Sequence, residues 1–149
     1  MLAQLLLDQP NPEGYSAWEH KTTSTYAHDY MCIVGDAAHA MTPWQGAGGG
    51  QAIEDAMVMG ALLSEVSSVQ DIKAAFQAFD AVRRPRCQRI IDSSRETGQI
   101  MCGQLPEVAL EAENIRQALR NRWKVIHDLD LGSHREQAVK EMRKFQAQV

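Results

Sequence analysis

The feature that most constrains the fold of this chain is a short apolar run. A glycine, an acidic residue and a glycine-rich turn follow it. The run covers residues 30–34, Tyr-Met-Cys-Ile-Val, and its composition is typical of a strand buried on both faces of a parallel sheet. It ends at Gly35 and Asp36, and four glycines then cluster within residues 46–50. We therefore predict a strand, a loop and a helix in that order.

This order of elements suits a ligand site. A carboxylate at Asp36, just beyond a strand, can accept hydrogen bonds from sugar or ribityl hydroxyls at the edge where open α/β sheets bind ligands. Glycines let the backbone approach a flat ligand, and the N-terminus of the following helix offers free N–H groups to an anion. The turn is not a phosphate-binding loop of the GxxxxGK[ST] type, because no lysine follows its glycines.

Downstream of the turn, the spacing of apolar residues predicts mostly helix. Asp71 is a plausible N-cap for a second helix, which Pro85 should kink or end. Residues 105–123 also have a helical pattern, and Ser133 is expected to cap a final helix that ends near Phe145. The helix after the glycines has an apolar face formed by Ile53, Ala56, Met57, Gly60 and Leu63.

One clear strand beside several helices does not complete a sheet. A lone parallel strand would leave its ladder hydrogen bonds unmade. The chain is therefore either nearly all helical or the back portion of a larger fold whose other strands lie upstream. We favour the second interpretation.

Composition sets broad limits on the class of protein. The 149 residues, 44% hydrophobic and 23% charged, fit one domain. No apolar run reaches the roughly 20 residues needed to cross a bilayer, and no signal peptide is recognisable. Three widely spaced cysteines form neither a disulfide framework nor a metal-binding pair, which indicates a reducing, cytoplasmic location. Residues 115–149 carry a net charge of +4, from eight Lys/Arg and four Asp/Glu, but these charges are interspersed, so no nucleic-acid or membrane partner is expected.

The segment 35–56 resembles the second flavin motif of the class A, single-component FAD-dependent aromatic hydroxylases. That motif reads Gly-Asp-Ala-Ala-His, then Pro, Gly-x-Gly and Ile-Glu-Asp-Ala. Segments near Trp18, at residues 82–86 and from Trp123 to Leu131 are similar to the salicylate hydroxylase branch, and the likeness covers about residues 15–145. The residues that match the motif are Gly35, Asp36, Ala37, Ala38, His39, Pro43, Gly46, Gly48, Ile53, Glu54, Asp55 and Ala56.

The resemblance implies an α/β fold, FAD/NAD(P)-binding and Rossmann-like. This chain would be its mostly helical carboxyl-terminal portion, with one clear buried strand. Residues 1–29 would end the substrate-binding domain, residues 30–66 would form the second FAD-binding motif, and residues 67–149 would form a carboxyl-terminal helical region.

The resemblance also implies a site and a reaction. Asp36 would contact the ribityl chain of FAD, and the loop from Pro43 would lie along the isoalloxazine. With NADH or NADPH as electron donor and O2, a phenolic aromatic substrate would be hydroxylated; salicylate would lose CO2 and give catechol. Trp44, where relatives often carry His, would lie near the substrate, and no catalytic residue or metal is assigned. The implied cofactor-binding residues are Gly35, Asp36, Pro43, Gly46, Ala47, Gly48 and Gly49.

The GxGxxG turn that holds the ADP half of FAD in this family is absent from the sequence. We therefore expect a missing amino-terminal portion or an oligomer, and weak binding of FAD by the isolated chain. The alternative is a truncated, non-catalytic paralogue that serves as a structural or interaction module.

Several polar residues have a simpler interpretation than catalysis or metal binding. His39 is expected to be structural, since the sequence offers no metal-ligand partners at fitting spacing. Glu54 and Asp55 diverge by about 100° on a helix, so one capping or salt-bridging role each is expected. Cys32 is expected to be a small buried hydrophobe. Surface ion pairs, rather than anchors for the cofactor, are expected for Arg83, Arg84 and Arg86.

Overall fold

The computed structural model describes residues 4, 8–11 and 13–148. A two-stranded antiparallel sheet pairs Ala27 with Cys32 and His28 with Met31. A 3₁₀ turn, Pro43–Gln45, lies between the first two helices. The strands are β1 (Ala27–His28) and β2 (Met31–Cys32), and the helices are α1 (Asp36–His39), α2 (Gly48–Ser64), α3 (Val69–Met101), α4 (Ala112–Leu119), α5 (Lys124–His127) and α6 (Leu131–Gln146).

Helix α3 is the central element, and it packs against both α2 and α6. Its 33 residues give it a length of about 50 Å. Within the described residues, no helix combines the length and the apolarity needed to cross a membrane. Phe79 of α3, Leu62 of α2 and Met142 of α6 are buried in the core, where Ala75 and Ala78 let the helices approach closely.

The strand at residues 30–34 is shorter and more exposed than its apolar composition predicts. Only Met31–Cys32 is strand, and among the described residues β1 is its sheet partner. Tyr30, Met31 and Val34 are 55%, 69% and 46% exposed. A strand is buried on both faces only when neighbouring layers cover it, and those are not supplied by the described part of this chain. Cys32 is accordingly half-buried rather than buried; Cys87 is the fully buried cysteine.

The start and the continuity of α3 also differ from prediction. Ser68 is the N-cap, and the carboxylate of Asp71 accepts a hydrogen bond from the Ser68 N–H at 2.9 Å, as in a capping box. Pro85 neither ends nor interrupts α3. Its ring is exposed, while Val82 and Arg86 on either side are buried, so tertiary contacts hold the helix together across the missing N–H.

The carboxyl-terminal helices are shorter or start earlier than expected. Of residues 105–123, only Ala112–Leu119 forms an α-helix. The final helix begins at Leu131, and the carboxylate of Asp130 accepts a hydrogen bond from the Ser133 N–H at 2.7 Å. Asp130 is therefore the N-cap, because its side chain satisfies a free donor of the first turn.

Helix α2 leaves part of its apolar surface exposed. Ile53 and Leu63 are 65% and 46% exposed, whereas the side that packs against α3 and α6 carries three polar residues beside Val58 and Leu62. We call the exposed side the bare face of α2. The bare face comprises Gly49, Ile53, Ala56, Gly60 and Leu63, whereas the inward side comprises Gln51, Glu54, Asp55, Val58 and Leu62.

Two helical glycines should respond in opposite ways to replacement by alanine. A Cβ at Gly98 would clash with Nε1 of Trp44, whereas no described atom outside the adjoining helix backbone lies within 4 Å of one at Gly60. Gly60→Ala should stabilise the chain by about 0.5–1 kcal/mol, because alanine loses less entropy in a helix. Gly98→Ala should destabilise it, since overpacking costs about 1–3 kcal/mol. Urea unfolding of both variants tests this, and equal stabilisation by both would contradict the contact between Trp44 and Gly98.

Candidate functional site

Asp36 is presented by a tight turn that is anchored to α2. It is the first residue of the one-turn helix α1, and its side chain is exposed. Gly35 before it has φ of 58°, in the left-handed region that favours glycine. The Gly35 N–H donates to Oδ2 of Asp55 at 2.9 Å. The position of Asp36 is thus tied to a carboxylate on α2.

The first turn of α2 exposes its backbone. Ala47 is the N-cap, and the Gln51 N–H donates to the Ala47 carbonyl at 3.0 Å. The N–H groups of Gly48 and Gly49 precede the first intrahelical bond and point out of the positive end of the helix. Outside the adjoining helix backbone, no described atom lies within 4 Å of a Cβ placed at Gly49 or Gly50, and the first turn carries no acidic residue. A planar or anionic group can therefore approach this backbone.

The turn before Asp36 packs directly on the start of α2. A Cβ placed on Gly35 would lie 3.8 Å from Cβ of Ala52, in ordinary van der Waals contact. The structure therefore brings the residues predicted from the sequence, from Gly35 to Gly49, together around the beginning of α2.

The loop between α1 and α2 is fixed to α3. The hydroxyl of Ser94 donates to the Thr42 carbonyl at 2.7 Å. Pro43 then begins the 3₁₀ turn, and Gly46 ends it with φ of 64°. Trp44 lies on this turn, with its indole against α3 and 41% of its surface exposed.

A buried ion cluster lies behind this surface. Arg83 of α3 has no exposed surface. Its Nε donates to Oδ1 of Asp55 at 2.7 Å, and its Nη1 donates to Oε2 of Glu54 at 2.6 Å. Its Nη2 donates to the Gln51 carbonyl at 3.0 Å. The guanidinium fork can reach two consecutive carboxylates of α2 because its donors diverge in one plane.

Arg86 completes the cluster. Its Nε and Nη2 donate to the two carboxylate oxygens of Glu54 at 2.6 and 2.8 Å, and its Nη1 donates to the Val125 carbonyl at 2.9 Å. Arg84, by contrast, forms a partly exposed pair with Asp80 at 2.9 Å. We call Gln51, Glu54, Asp55, Arg83, Arg86 and His39 together the Arg83 cluster.

Arg83, Arg84 and Arg86 form ion pairs, as expected. The expectation that these pairs lie on the surface is wrong for two of the three arginines. Arg83 and Arg86 are buried. They lie on the side of α3 that meets the polar inward side of α2, and that side supplies the carboxylates they need. Glu54 and Asp55 do take salt-bridging roles, as expected, and Asp55 in addition accepts the Gly35 N–H.

His39 joins the cluster through Asp55. It is fully buried, and its Nε2 lies 2.6 Å from Oδ2 of Asp55. Burial alone would lower the pKa of His39, but its interactions with Asp55 and Cys87 together outweigh burial and raise the pKa to about 10. Burial likewise raises the pKa of Asp55, but hydrogen bonds from His39, Gly35 and Arg83 outweigh it and lower that pKa. The two side chains form an ion pair at neutral pH.

His39 has possible metal-ligand partners that its sequence spacing does not reveal. Ligand atoms of His39, Asp55 and Cys87 lie within 4.8 Å of one another. Arg83, however, donates to Asp55 and also, through Nη2, to Sγ of Cys87 at 3.4 Å. A guanidinium in contact with two of the three ligands repels a cation, so this group is better described as an ion-pair cluster.

A separate surface groove of about 460 Å³ lies elsewhere, between the carboxyl-terminal end of α2 and helix α6. Its lining is charged and includes Glu65, Arg135, Lys140 and Arg143. It contains none of the residues predicted for the site. The glycine turn and Asp36 therefore remain the candidate site.

Comparison with protein families identifies the group to which the chain belongs. The model of the FAD binding domain family matches residues 6–94. The chain belongs to this family. The resemblance inferred from the motif at residues 35–56 is confirmed.

Individual relatives agree with this assignment. Salicylate hydroxylase of Pseudomonas putida is 38% identical over 124 residues, which are 81% of this chain and 29% of that protein. The 6-methylsalicylate 1-monooxygenase of Aspergillus terreus is 34% identical over 134 residues, 90% of this chain and 30% of that protein. An FAD-dependent monooxygenase of Gibberella moniliformis is 36% identical over 126 residues, 79% of this chain and 29% of that protein.

A solved structure confirms the predicted fold class. The structure described as a salicylate hydroxylase substrate complex matches with a TM-score of 0.75 and 38% identity, over 80% of this chain and 29% of that one. The chain thus has the fold of part of a flavoprotein of the salicylate hydroxylase type, mostly helical with a small sheet. It spans less than a third of the length of these relatives.

The ion pair of His39 should make stability depend on pH. Its folded pKa is raised to about 10, from an unfolded value of about 6.5. Its contribution is therefore complete below about pH 6.5 and is lost as the pH rises through about 10. His39→Gln should cost about 3–5 kcal/mol at pH 6, as breaking a buried pair does, and distinctly less at pH 10.5.

Urea unfolding of the wild type and His39→Gln at both pH values measures this difference. His28→Gln is the control, because His28 has a side chain that is 77% exposed. It should change the free energy of unfolding by no more than about 0.5 kcal/mol. An equal cost of His39→Gln at both pH values would contradict the ion pair.

Proposed function

We propose that this chain forms part of the FAD site of a monooxygenase that hydroxylates a phenolic, salicylate-like aromatic substrate with O2, using NADH or NADPH. The observation that carries the proposal is the packing of Gly35, next to Asp36, against Ala52 and Asp55 of α2, the helix that begins with the open glycine turn. The names of the relatives support the substrate class, since two of them are hydroxylases of salicylate or 6-methylsalicylate. For salicylate, the product would be catechol with loss of CO2.

The residues present fit FAD. The exposed carboxylate of Asp36 can accept hydrogen bonds from ribityl hydroxyls. The open first turn of α2, at its positive end and free of acidic residues, suits the carbonyl edge of a flavin, which carries negative charge when reduced. When bound, FAD supplies the electron and oxygen chemistry. The proposed cofactor-binding residues are Gly35, Asp36, Pro43, Gly46, Ala47, Gly48 and Gly49.

The remaining parts of the chain then take supporting roles. Residues 30–66 form the FAD-binding motif, residues 67–149 the helical region behind it, and residues 1–29 the end of a substrate-binding domain. We also propose that Trp44 lies near the aromatic substrate, and its partly exposed indole supports this. The three free cysteines support a cytoplasmic location.

The bare face of α2 is exposed apolar surface that another part of the protein, or another protein, can cover. We propose that an upstream portion of a longer enzyme covers this face, because the relatives are about three times as long as the match and apolar surface of this kind is usually covered. Without that portion, FAD should bind weakly.

The bare face also favours a second candidate, a non-catalytic module that docks on another protein. A flavin absorbance spectrum of the purified full-length protein separates the two, since only the first carries FAD.

Replacing Asp36 tests the proposed site. In the full-length protein that carries this chain, Asp36→Ala should weaken FAD binding about tenfold to a hundredfold, because a charge-assisted hydrogen bond contributes about 1.5–3 kcal/mol. The melting temperature of the apoprotein should hardly change, since the side chain is exposed. Flavin fluorescence titration gives the dissociation constant. Asp128→Ala, at another exposed carboxylate, is the control and should bind FAD like the wild type. Wild-type affinity in Asp36→Ala would contradict the assignment.

The bare face should make the isolated chain self-associate. Sedimentation velocity should show concentration-dependent oligomers, and Ile53→Glu should shift them toward monomer by placing a charge in the apolar contact. Val69→Glu is a matched control, because Val69 is 64% exposed, close to the 65% of Ile53, but lies outside the bare face. A monomer at every concentration would count against a docking role for this face.

A further inference from the structure

The Arg83 cluster touches both backbone elements of the proposed site from behind. Through Asp55, Arg83 is linked to the Gly35 N–H, which precedes Asp36. Through Nη2, it bonds the carbonyl of Gln51, in the first turn of α2. One guanidinium therefore connects the turn that carries the carboxylate with the helix start that carries the open N–H groups.

We infer that Arg83 is a positioning residue for flavin binding, which fixes the Asp36 turn relative to the N-terminus of α2. The inference rests on the proposed function. Arg83 has no exposed surface, so it acts through Asp55 and Gln51 rather than by touching a ligand. A rigid planar fork suits this task, because bonds formed by its separate N–H groups fix relative orientation as well as distance.

The contacts indicate more than a stabilising role. A buried ion pair often contributes little net stability compared with apolar residues of similar size. Here one carboxylate, that of Asp55, contacts the short helix α1 at both of its ends. Its Oδ2 accepts a hydrogen bond from the Gly35 N–H, and the same oxygen lies 2.6 Å from Nε2 of His39. Asp36 lies between these two anchors. Loosening Asp55 should therefore release the Asp36 turn before it disturbs the helical core.

Arg83→Lys is the informative variant. Lysine keeps the positive charge, but a single ammonium cannot hold Asp55, Glu54 and the Gln51 carbonyl in the same geometry. Arg84→Lys is the matched control, since Arg84 is the next residue of α3 and pairs with Asp80 instead. In the full-length protein, Arg83→Lys should raise the dissociation constant for FAD about tenfold, whereas Arg84→Lys should leave it unchanged.

Amide hydrogen exchange without FAD gives a second, independent readout. Arg83→Lys should speed exchange of the Gly35 amide, whose acceptor is Asp55, by more than it speeds exchange of the core amide of Phe79. A merely stabilising residue would instead raise both rates by the same factor, because both amides would then exchange through the same global unfolding. Arg84→Lys should change neither.

The outcomes separate the inference from the proposed function. If the wild type does not bind FAD, the proposed function fails, while hydrogen exchange still tests the positioning. If the wild type binds FAD and folded Arg83→Lys binds it equally well with unchanged Gly35 exchange, the inference is wrong. If Arg83→Lys does not fold, Asp55→Asn takes its place, because it keeps the side-chain shape and removes the charge that holds Arg83. It should give the same two changes, and wild-type values for both would overturn the inference.

Discussion

The buried guanidinium of Arg83 is the interaction on which the arrangement of the helices depends. A charge without solvent contact costs several kcal/mol unless it is paired and fully hydrogen-bonded. The partners of the Arg83 guanidinium are Glu54, Asp55 and the Gln51 carbonyl, and they can reach it only if the side of α2 that carries them faces α3. The opposite side of α2, which carries Ile53 and Leu63, must then point away from α3. The bare face is thus a consequence of the ion cluster, and the same cluster also holds the turn at Gly35.

The local order of the site could be predicted because its residues are close in sequence. The acid at Asp36, the glycines and the following helix lie within about one supersecondary unit, and each has a local physical requirement. The direction of α2 could not be predicted in the same way. Periodicity shows which residues share a face, but not which face meets the rest of the molecule. The burial predicted for the strand at residues 30–34 is wrong for a related reason, since burial depends on neighbours that its own sequence does not contain.

The sequence does contain a signal for the buried arginines. Arg83 and Arg86 share a helical face with apolar residues, so a polar cluster inside the core was readable from their spacing. Pro85, between them, predicts a kink or an end of the helix by local chemistry alone, whereas the apolar pattern continues on both sides of it. Tertiary contacts on both sides of the proline keep the helix continuous. The apolar residues on this face of α3 are Phe79, Val82, Cys87 and Ile90.

The unbroken length of α3 limits how this region can change during evolution. Arg83, Ser94 and Gly98 sit on one continuous helix and contact, respectively, the start of α2, the loop at Thr42 and the indole of Trp44. The first and last of these contacts are separated by about 22 Å of helix, and inserting one residue would rotate them by about 100° relative to each other. Insertions and deletions should therefore be rare between residues 83 and 98. They should accumulate instead in surface connections such as residues 102–111, whose spacing no helix fixes.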